Sequence, residues 1–237
     1  NNQPRYYRCV VTSDYCQSQD TTEAISVLML DDLSAGTLQP AAPLCFNTST
    51  TLYFETNPSG ANSDTDDIEE SVVDYNYQWQ ESSDGSNWVN SVDGNNENLN
   101  ISNTYGNNQP RYYRCVVTSD YCQSQYPTPA ISVLMLDDLS AGTLQSVEPL
   151  CFNAPTTLSF ETNPSGANSA TDNLEYNYQW QESSDGNNWD IVVNENNQDL
   201  NISNTFGDNQ PRYYRCMVTS ELCQTQAPTP TISVIML

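Results

Sequence analysis

The chain has no histidine and no lysine. Its only cations are six arginines, set against 30 Asp and Glu, for a formal charge of −24 over 237 residues. Neutralising a phosphate backbone takes clustered Lys and Arg, so nucleic acid is excluded as a partner. An anionic membrane surface is disfavoured for the same reason. Without His or Lys, hydrolysis would fall to paired carboxylates in a cleft. The acids here lie mostly in loops and linkers, so the chain reads as a non-enzyme. No run of 18 apolar residues occurs, and nothing reads as embedded in a membrane. Residue 1 falls inside a motif, so the absence of a secretory leader says nothing.

An acidic chain can be disordered, but 15 Tyr, 4 Trp and a regular apolar alternation give this one a core to bury. Eight cysteines with no histidine and no tight C-x-x-C pair fit disulfides in an oxidising compartment better than zinc. The expected location is therefore extracellular.

One phrase, Gln-Pro-Arg-Tyr-Tyr-Arg-Cys, occurs three times: Gln3 to Cys9, Gln109 to Cys115 and Gln210 to Cys216. It contains every cation of the protein: Arg5, Arg8, Arg111, Arg114, Arg212 and Arg215. A Tyr two residues before a Cys, followed by an apolar pair, matches strand F of an immunoglobulin-type sandwich. Cys9 to Cys115 is 106 residues and Cys115 to Cys216 is 101. The difference is confined to one stretch, since Gly60 to Trp79 is 19 residues, Gly166 to Trp180 is 14, and both Trp-to-Cys spacings are 36. Length varies where a surface loop precedes the Trp strand.

The repeat divides the chain into residues 1–30, strands F and G of a partial copy, and two complete copies, 31–136 and 137–237. A lone hairpin is marginal in water, so residues 1–30 are expected to be completed by upstream sequence of a longer array. Within 31–136, Thr37 to Phe46 is broken by Pro40 and Pro43 and reads as an edge strand at most. Thr51–Thr56 reads as strand B, the alternation Tyr75, Tyr77, Trp79 as C, and Trp88-Val89 as a strand after the turn Ser83-Asp84-Gly85. Leu99 and Ile101 suggest E, Tyr112–Thr118 F, and Ala130–Leu136 G. About seven strands per copy without a helix predict an all-β protein of tandem immunoglobulin-like Greek-key β-sandwiches arranged end to end. Trp79, Trp180, Tyr7, Tyr113 and Tyr214 mark the cores.

Leu44-Cys-Phe-Asn47, Tyr77-Gln-Trp-Gln-Glu-Ser-Ser-Asp-Gly85 with Trp88, Tyr112-Tyr-Arg-Cys-Val-Val-Thr-Ser119 with Cys122, and Ile131-Ser-Val-Leu-Met-Leu136 together carry a resemblance. The chain resembles the Ig-like repeats of large Bacteroidota cell-surface proteins, among them the SprB-like gliding-motility adhesins exported by type 9 secretion. The resemblance implies a structural stalk segment of a cell-surface filament, with neighbouring repeats as its immediate partners. The alternative is an Ig-like module that binds a glycan or a partner protein.

Several residues have two readings. Asp31, Asp32, Asp137 and Asp138 at the linkers offer the oxygen ligands calcium takes, as does the run Asp64, Asp66, Asp67, Glu69 and Glu70. No EF-hand pattern is present, and a solvated acidic surface is the competing reading; no other cofactor is expected. Trp88 and Trp189 could stack on sugar rings, or pack against an Arg stem. Arg114 is expected to lie over strand C and meet Glu81. Asn47, Asn100 and Asn201 open glycosylation sequons that read as polar turns in a bacterium.

The cysteines Cys9, Cys16, Cys45, Cys115, Cys122, Cys151, Cys216 and Cys223 are the disulfide candidates. Three per full copy leaves one unpaired unless bonds cross between copies. In a sandwich of this topology Cys45 and Cys122 lie at opposite ends, too far apart to bond. A bond between copies, Cys45–Cys223 (with Cys122 bonding a preceding repeat), stands beside Cys45–Cys115 across one core and a local Cys115–Cys122 bond.

Overall fold

A computed structural model describes residues 3–61, 75–168 and 176–237; the acidic run 64–70 lies outside them. All regular structure among the described residues is β-strand. The protein is all-β, with two tandem immunoglobulin-like sandwiches.

Each sandwich has two layers. In the copy that begins at residue 31, one layer carries Gln125–Pro127 and Ile131–Met135 beside Gln109–Ser119, then Tyr75–Ser82, then Val89–Asn90. The other layer consists of two short pairs, Thr37–Leu38 with Phe54–Thr56 and Ser49–Leu52 with Leu99–Ser102. The next copy repeats this with Tyr176–Ser183, Asp190–Ile191, Gln210–Ser220, Gln226–Pro228 and Ile232–Met236, facing Thr143–Leu144 with Phe160–Thr162 and Pro155–Leu158 with Leu200–Ser203.

The constant Trp-to-Cys spacing has a direct cause: Trp79 lies opposite Cys115, and Trp180 opposite Cys216. All four are fully buried. Tyr113 and Tyr214 join them, 2% and 3% exposed. Around Trp180 the core gathers Leu144, Leu158, Phe160, Leu200, Val218, Val234 and Met236. Pro211 is tolerated in strand F because the pairing with strand C begins only at Tyr213, so its missing N–H costs no bond there.

Four expectations change. Strand B is two segments, because the chain leaves one partner and takes another at Tyr53, whose carbonyl accepts the Gln39 N–H. Strand G is also two segments. They are separated at Thr128, buried between two prolines, whose Oγ1 accepts the Cys115 N–H while its own N–H donates to the Cys115 carbonyl. The Pro40–Pro43 break is where the first strand changes layers, and Leu44 beyond it forms a parallel bridge to Met135. Tyr7, expected to mark a core, is uncovered among the described residues. It is 47% exposed, because the hairpins of residues 3–29 have no second layer packed on them among the described residues.

The chain forms two compact units: Asn1–Ala42 with Thr50–Ile101 and Pro110–Val133, and Pro43–Ser49 with Ser102–Gln109 and Leu134–Leu237. The second unit thus contains all of 137–237 and three segments contributed by the copy before it.

Candidate functional site

Inside the second unit a set of specific interactions ties those three segments to one another and to 137–237. Its base is Asn103, a side chain with no exposed surface. Its Nδ2 donates to the carbonyls of Leu44 and Leu136 at 2.8 and 2.7 Å, and its Oδ1 accepts the N–H groups of Tyr105 and Gly106. One buried amide therefore fixes three segments at once, at full hydrogen-bonding capacity. Asn204 does the same for Leu150, Leu237, Phe206 and Gly207. Gly106 has φ +50, and a Cβ there would lie 2.7 Å from the Phe46 ring. The sequence reading missed these residues; the signal was the repeated Ile-Ser-Asn-Thr-aromatic-Gly at 101–106 and 202–207.

The Asp137-Asp138 linker is clasped. Ala167 donates its N–H to the Asp137 carbonyl, Ser140 and Ser165 exchange backbone bonds, and the Asp137 N–H donates to Asn108 Oδ1 at 2.9 Å. Gly166 has φ +78, and a Cβ there would stand 1.8 Å from the Asp138 carbonyl oxygen, so only glycine lets the turn close on the linker. Tyr176 and Ser220 hold this turn from strands C and F, donating their hydroxyls to the carbonyls of Gly166 and Ala167. Ser220 Oγ also accepts the Cys223 N–H at 3.1 Å. One serine thus ties the linker clasp to the F–G hairpin. The first unit has the same clasp around Asp31-Asp32, with Gly60, Ala61, Tyr75 and Ser119.

On that hairpin Cys223 is bonded to Cys45, with an S–S distance of 2.05 Å and a Cα separation of 5.8 Å across 178 residues of sequence. Of the pairings left open, this is the one present, and it joins one copy to the next. The others are absent: Cys9, Cys16, Cys115, Cys122, Cys151 and Cys216 are free thiols. Cys115 and Cys216 are free and fully buried, each opposite its tryptophan. Burial pushes both thiols up to about 12.

Asp31 and Asp137 are engaged through their carbonyls, and Asp138 Oδ1 accepts the Leu139 N–H. Among the described residues no three His, Cys, Asp or Glu side chains stand close enough together to hold a metal ion.

The outer face of the C–F sheet is polar. Arg114 donates Nε–H to Gln80 Oε1 at 2.9 Å and lies 4.3 Å above the Trp88 ring; Arg215 repeats this on Gln181 and Trp189. The Trp rings therefore pack on Arg stems. Glu81 pairs instead with Arg111 at 3.4 Å, because the register sets Arg114 opposite Gln80 and turns Glu81 to the other face, opposite Tyr113. Asp84, accepting the N–H groups of Asn87 and Ser86 and bonds from the Asn87 and Ser82 side chains, builds the turn before Trp88; these bonds hold its carboxyl well below the usual range. Beside Arg114 runs an open groove of about 450 Å³ bordered by Gln78, Asn90, Thr118 and Gln125. The sequon residues Asn100 and Asn201 are cross-strand acceptors for Thr51 and Thr157.

No curated protein sequence matches the chain. Among solved structures it is similar to the three N-terminal domains of the highly immunogenic outer capsid protein Hoc of bacteriophage RB49, at 10% identity and a TM-score of 0.48, covering 98% of this chain and 78% of that one. It is also similar to a Dscam structure, at 14% identity and a TM-score of 0.36, covering 97% of this chain and 53% of that one. A four-Ig-domain Dscam1 isoform 6.9 structure gives 13% and 0.35, with 97% and 53% covered, so the chain spans about half the length of the Dscam chains. A family model matches residues 34–135 and again 140–236, and the chain belongs to that family, Domain of unknown function (DUF8696).

Proposed function

We propose that this chain is a structural segment of an extracellular stalk, in which copies of one immunoglobulin-type repeat, 31–136 and 137–237 here, follow one another in series and are cross-linked copy to copy. Residues 1–30 are strands F and G of a further copy. The observation that carries this reading is the Cys45–Cys223 bond, which spends two cysteines on joining copies and none on closing a core. The clasped linker supports it, since a joint with its backbone bonded on both sides suits a spacer. The motif resemblance supports a Bacteroidota cell-surface filament of the gliding-motility or attachment type, exported by type 9 secretion. The test is surface labelling of intact source cells with an antibody to the repeat, followed by non-reducing peptide mapping of the recovered protein. Labelling of unpermeabilised cells with Cys45 linked to Cys223 is expected; a protein confined to the cell interior with reduced Cys45 would overturn the proposal.

The groove beside Arg114 favours a second reading, a site for a polyhydroxylated ligand such as a glycan, with amides to bond hydroxyls. Glycan-array binding lost in Gln80→Ala or Arg114→Ala is its expected signature; no binding to any glycan would remove it.

A further inference from the structure

The Cys45–Cys223 joint has a plug, the F–G hairpin, and a socket, the Leu-Cys-Phe-Asn turn with its buried Asn. Both parts recur elsewhere in the chain without partners. The empty socket is Cys151-Phe152-Asn153 above Asn204. Its backbone matches the filled one: Asn47 and Asn153 have φ 57 and 61, and their N–H groups donate to the carbonyls of Asn103 and Asn204 at 2.9 and 2.8 Å. Cover is what differs. Cys45 and Phe46 are half-buried, whereas Cys151 is exposed and Phe152 is 58% exposed, with Phe206 beside it at 49%. Vacant plugs are Tyr15-Cys16-Gln17, with φ 53 at Gln17 and the Cys16 N–H on Ser13 Oγ at 3.2 Å, and Tyr121-Cys122-Gln123. Gln123 has φ 56 against 55 for Gln224, and the Cys122 N–H donates to Ser119 Oγ at 3.1 Å, as Cys223 does to Ser220. Cys122 is exposed and Tyr121 is 65% exposed, while Leu222 and Cys223 are half-buried.

We infer that the Cys151–Phe152 turn is a second, preformed acceptor for the F–G hairpin of another copy of this repeat, closed by a disulfide from Cys151 to the hairpin cysteine. For this chain alone that partner is Cys16 or Cys122 of a second molecule, and Cys122 once Cys16 is replaced. The contact is heterologous, plug to socket, and so propagates instead of closing into a symmetric dimer. It is preorganised, because both backbones already hold the conformation seen in the filled joint. Phe152 is the apolar anchor, in the role the half-buried Phe46 has in the filled joint. The bond forms by exchange with a small disulfide such as oxidised glutathione. The Cys151 thiolate attacks one sulfur and releases one glutathione; the Cys122 thiolate of the second chain then attacks the Cys151 sulfur of the mixed disulfide and releases the other. Two protein thiols are oxidised, and one glutathione disulfide is reduced to two thiols.

This deepens the copy-to-copy reading and is tested separately from it. The full chain with the Cys45–Cys223 bond intact and Cys9 and Cys16 replaced by Ser is held in a glutathione redox buffer. Protein concentration approaches the ~mM effective concentration of a short tether. Linked chains are read on non-reducing gels and by peptide mapping. The expected result is a ladder in which Cys122–Cys151 exceeds either symmetric pair by about tenfold, against the roughly twofold of random pairing. Cys151→Ser and Cys122→Ser each abolish the ladder, and Phe152→Asp slows it several-fold. Symmetric pairs at the random ratio, a rate unmoved by Phe152→Asp, or no linked chains would each overturn the inference. Surface labelling of cells would be untouched by that failure.

Discussion

Opening the Cys45–Cys223 bond, by reductant or by Cys45→Ser, changes how far the chain can be drawn out. The bond short-circuits 178 residues. At ~3.4 Å per extended residue that is roughly 600 Å of chain withheld from any force applied at the two ends. With the bond closed, only the residues before Cys45 and after Cys223 can lengthen, roughly 200 Å in all. Single-molecule pulling from the termini should show short extensions in the oxidised protein. Adding reductant should add about 600 Å of contour length, and Cys45→Ser should match the reduced protein without it. The same closure restricts the unfolded chain, and a loop of this length contributes at most about 5 kcal/mol by chain entropy, so oxidised protein should resist denaturant more than reduced. Full extension of the oxidised chain, or equal contour lengths with and without reductant, would refute the argument. Either would mean that the load does not pass through the bond.

Gly166→Ala should destabilise the copy that contains it by at least about 2 kcal/mol in denaturant titration, since it adds a left-handed penalty to a collision with the Asp138 carbonyl. Asn204→Ala strands the N–H groups of Phe206 and Gly207 and removes a donor from two carbonyls, so a loss of about 2–4 kcal/mol is expected by the same titration. Native protein treated with a thiol reagent at neutral pH should be modified at Cys9, Cys16, Cys122 and Cys151, while Cys115 and Cys216 react only after unfolding; mass spectrometry distinguishes these. Those two thiols have folded values raised from 9.0 to about 12. Their contribution to stability is therefore complete below pH 9 and lost as pH rises from 9 through 12, and Cys115→Val with Cys216→Val should flatten that alkaline decline.

The strands were legible where one face is buried. Alternation at Tyr113, Cys115 and Val117 reports the two faces of a sheet, and the fixed 36-residue interval from Trp to Cys is the length of chain between cross-strand partners. What alternation does not carry is a change of partner. Strand B breaks at Tyr53 because the neighbour changes, which leaves no mark in local composition; strand G breaks at Thr128 because a side chain enters the ladder, and there Pro127 and Pro129 flank the site. Tyr7 shows a related limit. Its motif is identical to that of Tyr113, yet the one is 47% exposed and the other 2%, because burial depends on a second layer as well as on the strand itself. The Cys45–Cys223 pairing was open to sequence reasoning because an odd cysteine count per copy is arithmetic. Asn103 and Asn204 were harder to find, since a buried amide that completes three segments looks, in sequence, like any polar turn residue.

The odd composition and the covalent joint bear on the same physical problem. A chain at −24 repels its own copies, and opposite charge could offset this only if cations were available to reach across. In the two full copies the arginines are engaged within their own copies. Arg111 lies beside Glu81, Arg114 on Gln80 and Trp88, Arg212 against Asp208 and over Phe206, and Arg215 on Gln181 and Trp189. Electrostatic attraction is therefore not what holds one copy to the next. What remains between the copies are contacts that ionic strength does not weaken: the Asp137 N–H on Asn108 Oδ1 and a sulfur–sulfur bond. Repulsion between neighbouring acids is screened beyond ~8 Å at physiological salt, so added salt can only relieve it further. The joint should accordingly hold or tighten as salt rises, and reductant is the perturbation that loosens it.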